Sequence, residues 1–152
     1  QVRLCDNSVL NAILVWYAEQ CRQNGVAYHC DVRADCVSFL DPNSLTALFG
    51  NLLSNAFEAA CLSAGKTIEL SVAKNPVGGV ILSLVNSCDS EPPKDRNGNL
   101  KTTKKDTEHH GLGLKSVNKV IQQYGGFSTL YYDEAEKTFH CIIHFPPKCN
   151  TN

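Results

Sequence analysis

The stretch from Asp41 to Gly65 constrains this chain more than any other. Asp followed by Pro is a strong helix start, with Asp as N-cap and Pro in the first turn, and Gly65 offers a stop. Inside it, the segment NLLSNAFEAA (Asn51 to Ala60) sorts its residues by side. At about 100° per residue, Asn51, Asn55 and Glu58 fall within about 60° of one another, while Leu45, Phe49, Leu52, Leu53, Ala56 and Ala60 cover the opposite side. A helix this apolar has to pack on a core, and the two amides and the carboxylate then face away from it. A solvated face is the ordinary reading of such polar residues. Solvated faces favour long charged residues, however, and Asn is a weak helix former because its side chain competes with the backbone. Two Asn one turn apart, beside Ala56 and Ala59, suit a face held close to something small.

The remaining elements follow from capping and periodicity. Asp6, Asn7 and Ser8 can cap a helix whose Val9, Leu10, Ile13, Leu14, Tyr17 and Cys21 keep a 3.6-residue period and which Gly25 ends. Val26, Tyr28, Cys30 and Val32 alternate as a strand, and Val37 to Leu40 reads as a second short one. Ile68, Leu70 and Val72 alternate before the turn NPVGG, Asn75 to Gly79, and Val80 to Val85 is a buried strand. After a long polar segment, GLGLKSVNKVIQQYGG reads as a helix entered through glycines, with Leu114, Val117, Val120, Ile121 and Tyr124 on one face. Phe127 to Tyr132 and Phe139 to Phe145 form a last hairpin around Asp133 to Lys137. Paired strands with helices between them predict one α+β domain, a two-layer α/β sandwich with helices on one face of a mixed, mostly antiparallel sheet. The whole of residues 1–152 is read as that single domain, with PPKCNTN as a frayed end.

Composition narrows the function classes. A net charge of −1 gives no general reason to expect nucleic acid as a partner. The longest apolar run, Ala12 to Ala18, is far short of the roughly 20 residues that span a bilayer, so this domain is not expected to cross a membrane. The eight cysteines lie mostly in apolar segments with no CxxC pair, which reads as reduced, buried thiols in a cytosolic domain and not as a disulfide or zinc scaffold. The chain starts at Gln1 and has no Met, so it is expected to be a piece of a longer protein.

Between Ser87 and His110 the chain changes character: SCDSEPPKDRNGNLKTTKKDTEHH has Leu100 as its only large aliphatic residue. Long segments of this kind inside compact domains serve as lids or binding loops, or stay disordered. This one runs straight into Gly111 and Gly113. Glycines at a helix entrance let backbone amides approach an anion, and the free N–H groups of the first turn add partial positive charge. Lys115 and the segment's own Lys101, Lys104 and Lys105 can supply counter-charge. A tight loop-to-helix turn and a solvated charge run are the plainer alternatives.

The order of these pieces is more specific than any one of them. An NxxxNAxEA helix, a hairpin ending in a polar residue, a polar lid and HGLGL opening a helix together resemble the ATP-binding catalytic domain of sensor histidine kinases, in the family shared with gyrase and MutL. TTKKDTEHHGLGLKSV is most similar to the AgrC-like quorum-sensing kinases. The resemblance implies the histidine kinase-type ATPase fold with a lid at about residues 87–110, and ATP and Mg²⁺ as cofactors. Asn55 would be the metal ligand, Asn51 would face the phosphates and their water, and Glu58 would line the same pocket. Lys104 and His110 would approach the phosphates, and Gly111, Gly113 and Leu114 would supply backbone contacts.

ATPase members of the family carry Glu at the position of Asn51, where it activates water. Asn cannot act as that base, which favours transfer of the γ-phosphate to a protein side chain. The family's usual Asp for adenine, followed by glycines, is replaced here by Asn86, Ser87 and Cys88, a departure that fits the AgrC-like group; Asp89 is the competing candidate. Asn86 can still accept one hydrogen bond and donate others.

The resemblance further implies a protein histidine kinase whose phosphoacceptor His lies on a separate dimerisation domain. A response regulator would be the downstream partner and a membrane-anchored sensor would lie upstream of this cytoplasmic domain. No residue of this chain is expected to be catalytic in the covalent sense. His29, His140 and His144 lie in strand patterns, and His109 and His110 belong to the lid. A serine kinase or ATPase of the same fold, and a degenerate docking module that has lost its nucleotide, are the competing readings.

Overall fold

The computed structural model describes residues 3–93 and 107–147, excluding the side chains of 107–112. The chain runs α1 (Ser8–Gln23), β1 (Ala27–Val32), α2 (Pro42–Leu62), β2 (Thr67–Lys74), β3 (Val80–Ser87), α3 (Thr107–Gln123), β4 (Phe127–Asp133) and β5 (Thr138–Phe145). Asn7 caps α1 by accepting from the Leu10 amide at 2.9 Å, and Gly25 turns the chain out with φ of 68°. Asp41 caps α2 by accepting from the Ser44 amide at 2.9 Å, with Pro42 at its first position.

The five strands form one sheet in the order β1-β2-β3-β5-β4. β1 and β2 are parallel, joined through α2, and every other neighbouring pair is antiparallel. Register aligns the buried residues across the strands: Leu70 pairs with Leu84 and Leu84 with Cys141, while Val72 pairs with Leu82 and Leu82 with Ile143. These side chains share one core with Leu10 and Leu14 of α1, Leu45, Leu48, Phe49 and Leu53 of α2, and Val117, Val120 and Ile121 of α3. Removing a leucine side chain of this kind from water is worth about 1.5–3 kcal/mol, which makes the apolar side of α2 the largest single tie between the layers. The result is the expected two-layer α+β sandwich. α2 is long and apolar enough in composition to cross a membrane, but here it is a core helix, packed against α1, α3, β2 and β3.

Two expectations need correction. Val37 to Leu40 is not a strand: residues 34–40 turn, with Asp35 at φ of 58° and the Leu40 amide donating to Val37 O at 3.1 Å. Cys36, Val37 and Leu40 are buried in the common core instead, so their apolar character reflects packing and not sheet pairing. The last helix also begins earlier than Gly111, at Thr107. An α-helix leaves only the N–H groups of its first turn free, so the amides of Gly111 and Gly113 lie inside the helical ladder and not at its open end.

The seven described cysteines are free thiols, and four of them, Cys5, Cys21, Cys36 and Cys141, are buried. Burial raises the Cys141 thiol to about 12 and that of Cys21 to about 11, so both stay protonated at neutral pH.

Candidate functional site

α2 presents the polar face that its spacing predicted. Leu45, Leu48, Phe49, Leu52, Leu53, Ala56 and Ala60 are buried, whereas Asn51, Asn55 and Glu58 are half-buried. The amide of Asn51 is fixed: its Nδ2 donates to Ala47 O at 2.6 Å, one turn back in the same helix. Its Oδ1 therefore points the other way, to α3. There a Cβ added at Gly113 would lie only 2.9 Å from Asn51 Oδ1 and 3.4 Å from its Cγ. Gly113 leaves the space that the Asn51 amide occupies, and any larger residue there would have to displace it. Asn55 makes no hydrogen bond among the described residues, so its amide oxygen is available to a ligand, while Glu58 already has an interaction.

A second tie joins the same two helices at their other ends. Tyr124 OH donates to Asp41 Oδ2 at 2.7 Å and accepts from the Asp41 amide at 3.1 Å, and Ser44 Oγ donates to the same carboxylate oxygen at 2.7 Å. Asp41 and Asn51 are ten positions apart on α2, and Gly113 and Tyr124 eleven apart on α3, so the two helices run antiparallel with matched spans. The Ser44 amide, then Tyr124 and the Ser44 hydroxyl, hold the Asp41 carboxyl down at about 2.

At the C-terminal end of α2, Ser63 Oγ and Ser87 Oγ share a hydrogen bond of 2.6 Å, and Ser87 Oγ also accepts from the Thr67 amide at 2.8 Å. This network places the end of β3 beneath the end of α2. Asn86 continues the buried, helix-facing series Val80, Leu82 and Leu84, and its Nδ2 donates to Ser87 O at 3.0 Å. Asp89 is committed elsewhere: both carboxylate oxygens accept from the Ala64 amide, at 3.1 and 3.2 Å. The start of the polar segment is pinned from the other side by Tyr132 OH, which donates to Cys88 O at 2.8 Å, and by the Cys88 amide, which donates to Lys137 O at 2.8 Å.

The structure thus brings Asn51, Asn55, Glu58 and Gly113 together along the α2 face, with Asn86 under its far end. Leu114 is half-buried beside them. Lys115 is exposed, and at two residues beyond Gly113 it lies on the opposite side of α3 from Asn51. Lys104 lies outside the described residues, and so does the side chain of His110 together with those of the other residues of 107–112. Among the described residues no group of three His, Cys, Asp or Glu side chains is placed to hold a metal ion; the oxygen donors on this face are the Asn51 and Asn55 amides and the Glu58 carboxylate.

Residues 40–146 match the sequence profile of the GHKL domain. The chain belongs to the GHKL domain family. Among solved structures, the mycobacterial sensor histidine kinase MprB superposes with a TM-score of 0.63 at 16% identity, covering 90% of this chain and 95% of that one. The catalytic domain of histidine kinase ThkA gives 0.66 at 21% identity over 93% and 94%. Full-length ShkA, in complex with AMPPNP, gives 0.67 at 17% identity, and this GHKL chain matches 29% of its length. At such identities the likeness is one of fold. Among curated proteins no sequence match is found.

Reading the sequence alone missed both ties around this GHKL site. Asp41 was legible only as a helix cap and Tyr124 only as a member of an apolar face. The pairing of two residues 83 positions apart leaves no local periodic signal. The Ser63–Ser87 pair, a helix-end serine and a strand-end serine, likewise leaves no local signal.

Proposed function

We propose that this GHKL domain is the nucleotide-binding catalytic domain of an AgrC-like histidine kinase. It would bind Mg-ATP and supply the γ-phosphate to a His on a separate dimerisation domain. The observation that carries the reading is the Asn51–Gly113 contact, because it joins the amide-bearing face of α2 to the helix that follows the polar segment. From Asn51 to Ser63 the helix rises about 18 Å, room for a molecule the length of a nucleoside triphosphate.

Asn86 would serve adenine at the far end. With its donor spent on Ser87 O, its Oδ1 is the group that accepts from the exocyclic amine. Asp89, already bonded to Ala64, is the weaker candidate. Asn55 would ligate Mg²⁺ through its amide oxygen, a hard donor of the kind that ion takes alongside retained waters. Bound there, Mg²⁺ supplies charge neutralisation at the phosphates. Asn51 faces the phosphate end with an acceptor oxygen and no basic group, so it can hold a water but cannot deprotonate one. This chain's contribution is positioning and electrostatics, with Gly113 setting the closeness of α3.

The lid over residues 87–110, with Lys104 and His110, would close the phosphate end, and a response regulator would receive the phosphoryl group downstream. Placement in the cytoplasm, tethered to a membrane-embedded peptide sensor, belongs to the same proposal.

Calorimetric titration with Mg-ATP and with a non-hydrolysable analogue tests it. The expected result is weak binding of both, abolished in Asn55→Ala, with little turnover by the isolated chain. Steady hydrolysis that Asn55→Ala abolishes would shift the assignment to an ATPase or serine kinase of this fold. No binding at millimolar nucleotide would sink the kinase reading and leave a docking module, which the Asn86-Ser87-Cys88 sequence without glycines would then explain.

A further inference from the structure

Resting on the nucleotide reading, we propose that Tyr124 and Asp41 are positioning residues for phosphate binding: their clamp sets the register of α3 against α2 and so holds Gly113 over Asn51. The two helices meet at two defined points, Asp41 with Tyr124 and Asn51 with Gly113, separated by ten residues on one helix and eleven on the other. At 1.5 Å per residue these spans are about 15 and 16.5 Å, close enough for both contacts to form together. Sliding α3 by one residue would carry Gly113 away from Asn51 and bring a side chain against it.

The clamp is built to resist such sliding. Tyr124 both donates to Asp41 and accepts from its amide, while Ser44 engages the same carboxylate twice, once through its amide and once through its hydroxyl. The Tyr124 ring is seated edge-on to Phe39 at 5.6 Å and to Phe145 at 6.5 Å, so its hydroxyl is aimed by packing on the sheet side. The start of α2, the end of α3 and the end of β5 are therefore locked together at the side of the domain away from Asn86. The nucleotide face is left at the opposite end of a fixed lever.

Tyr124→Phe removes the hydroxyl and keeps the ring. In the intact chain its Mg-ATP affinity is expected to fall about three- to tenfold, the scale of one hydrogen bond's net worth, while affinity for adenosine, which reads only the Asn86 end, stays within about twofold. In an Asn51→Ala background the same substitution is expected to have no further effect on Mg-ATP, because the contact it positions is gone. Equal losses for Mg-ATP and adenosine would mark Tyr124 as merely structural and overturn the proposal, as would unchanged Mg-ATP affinity or additivity with Asn51→Ala. Hydrogen exchange decides separately from nucleotide binding. In Tyr124→Phe the α3 amides from Gly113 onward should exchange faster while those of β3 do not, and unchanged α3 protection would refute the clamp. If the wild-type chain binds no Mg-ATP, the nucleotide reading fails and the phosphate role fails with it, whatever the exchange shows.

Discussion

Replacing Gly113 with Ala places a methyl group 2.9 Å from Asn51 Oδ1, closer than such contacts are found, so one side must move. The α3 backbone is held by its own ladder and by Val117, Val120 and Ile121 in the core, which leaves the Asn51 amide to yield. Rotating it away breaks the 2.6 Å bond from Nδ2 to Ala47 O, at a net cost of about 0.5–1.5 kcal/mol. Against this, Ala in a helix interior is better than Gly by about 1 kcal/mol. The two terms are of similar size and opposite sign, so global stability should change by less than about 1 kcal/mol. Binding has no such compensation: the methyl fills the gap and the Asn51 acceptor is misaligned, a loss of about 1.4 kcal/mol or tenfold in Mg-ATP affinity. Urea denaturation and calorimetric titration on the same preparations separate the two quantities. Combining Gly113→Ala with Asn51→Ala should restore the stability gain without a further loss of affinity, since the clashing atom is absent. An unchanged affinity for Gly113→Ala alone, or a stability loss beyond about 2 kcal/mol, would refute the reasoning.

Two further outcomes follow from the same geometry. Asn86→Ala should weaken Mg-ATP, ADP and adenosine alike by about tenfold, whereas Asp89→Ala should cost about 1 kcal/mol of stability with little change in affinity; the reverse pattern in titration and denaturation would move the adenine contact to Asp89. In acid, the Asp41 carboxyl titrates at about 2 in the folded chain against an ordinary 3.8, so its contribution is whole above about pH 4 and is lost as pH falls through 2. Glu19 is also held down to about 2 by Arg22, so the acid limb of Tm against pH contains both groups, and Asp41→Asn should remove the Asp41 share of the slope. A limb unaltered by that substitution would show that the clamp carries no such linkage.

What was legible in the sequence was what depends on local rules. A cap among Asp6, Asn7 and Ser8, the cap at Asp41, the alternation in β2 and β5, and the two-sided pattern of α2 are each determined by a few neighbouring residues, and the structure reproduces them with Asn7 as the first cap. Val37 to Leu40 misled because a short apolar run has the same composition whether it pairs in a sheet or plugs a core, and only the Asp35 and Leu40 turn geometry decides. The start of α3 misled for a related reason. Glycine lowers helix propensity, so Gly111 and Gly113 look like an entrance, yet Gly113 is inside the helix because of what lies opposite it on α2. Of the candidate residues, Asn51, Asn55, Glu58 and Gly113 come together on one face and Lys115 does not, and the contacts that hold them in register join α2 to α3 and α2 to β3, which have no sequence period.

The Asn51 geometry adds a reason for an amide at that position beyond its lack of basicity. Its donor half is used within α2 and its acceptor half faces Gly113. A carboxylate at 51 could not donate to Ala47 O, so it would lose the bond that fixes the side chain and would bring a second anion toward the phosphates. Two acceptor oxygens do not bond to each other directly. In the proposed site Asn51 Oδ1 would therefore meet a phosphate through a water or through the hydration shell of the ion that Asn55 would hold. On that proposal its role would be the orientation of solvent around the transferring group, with its donor half held by Ala47 O and the space for it left by Gly113.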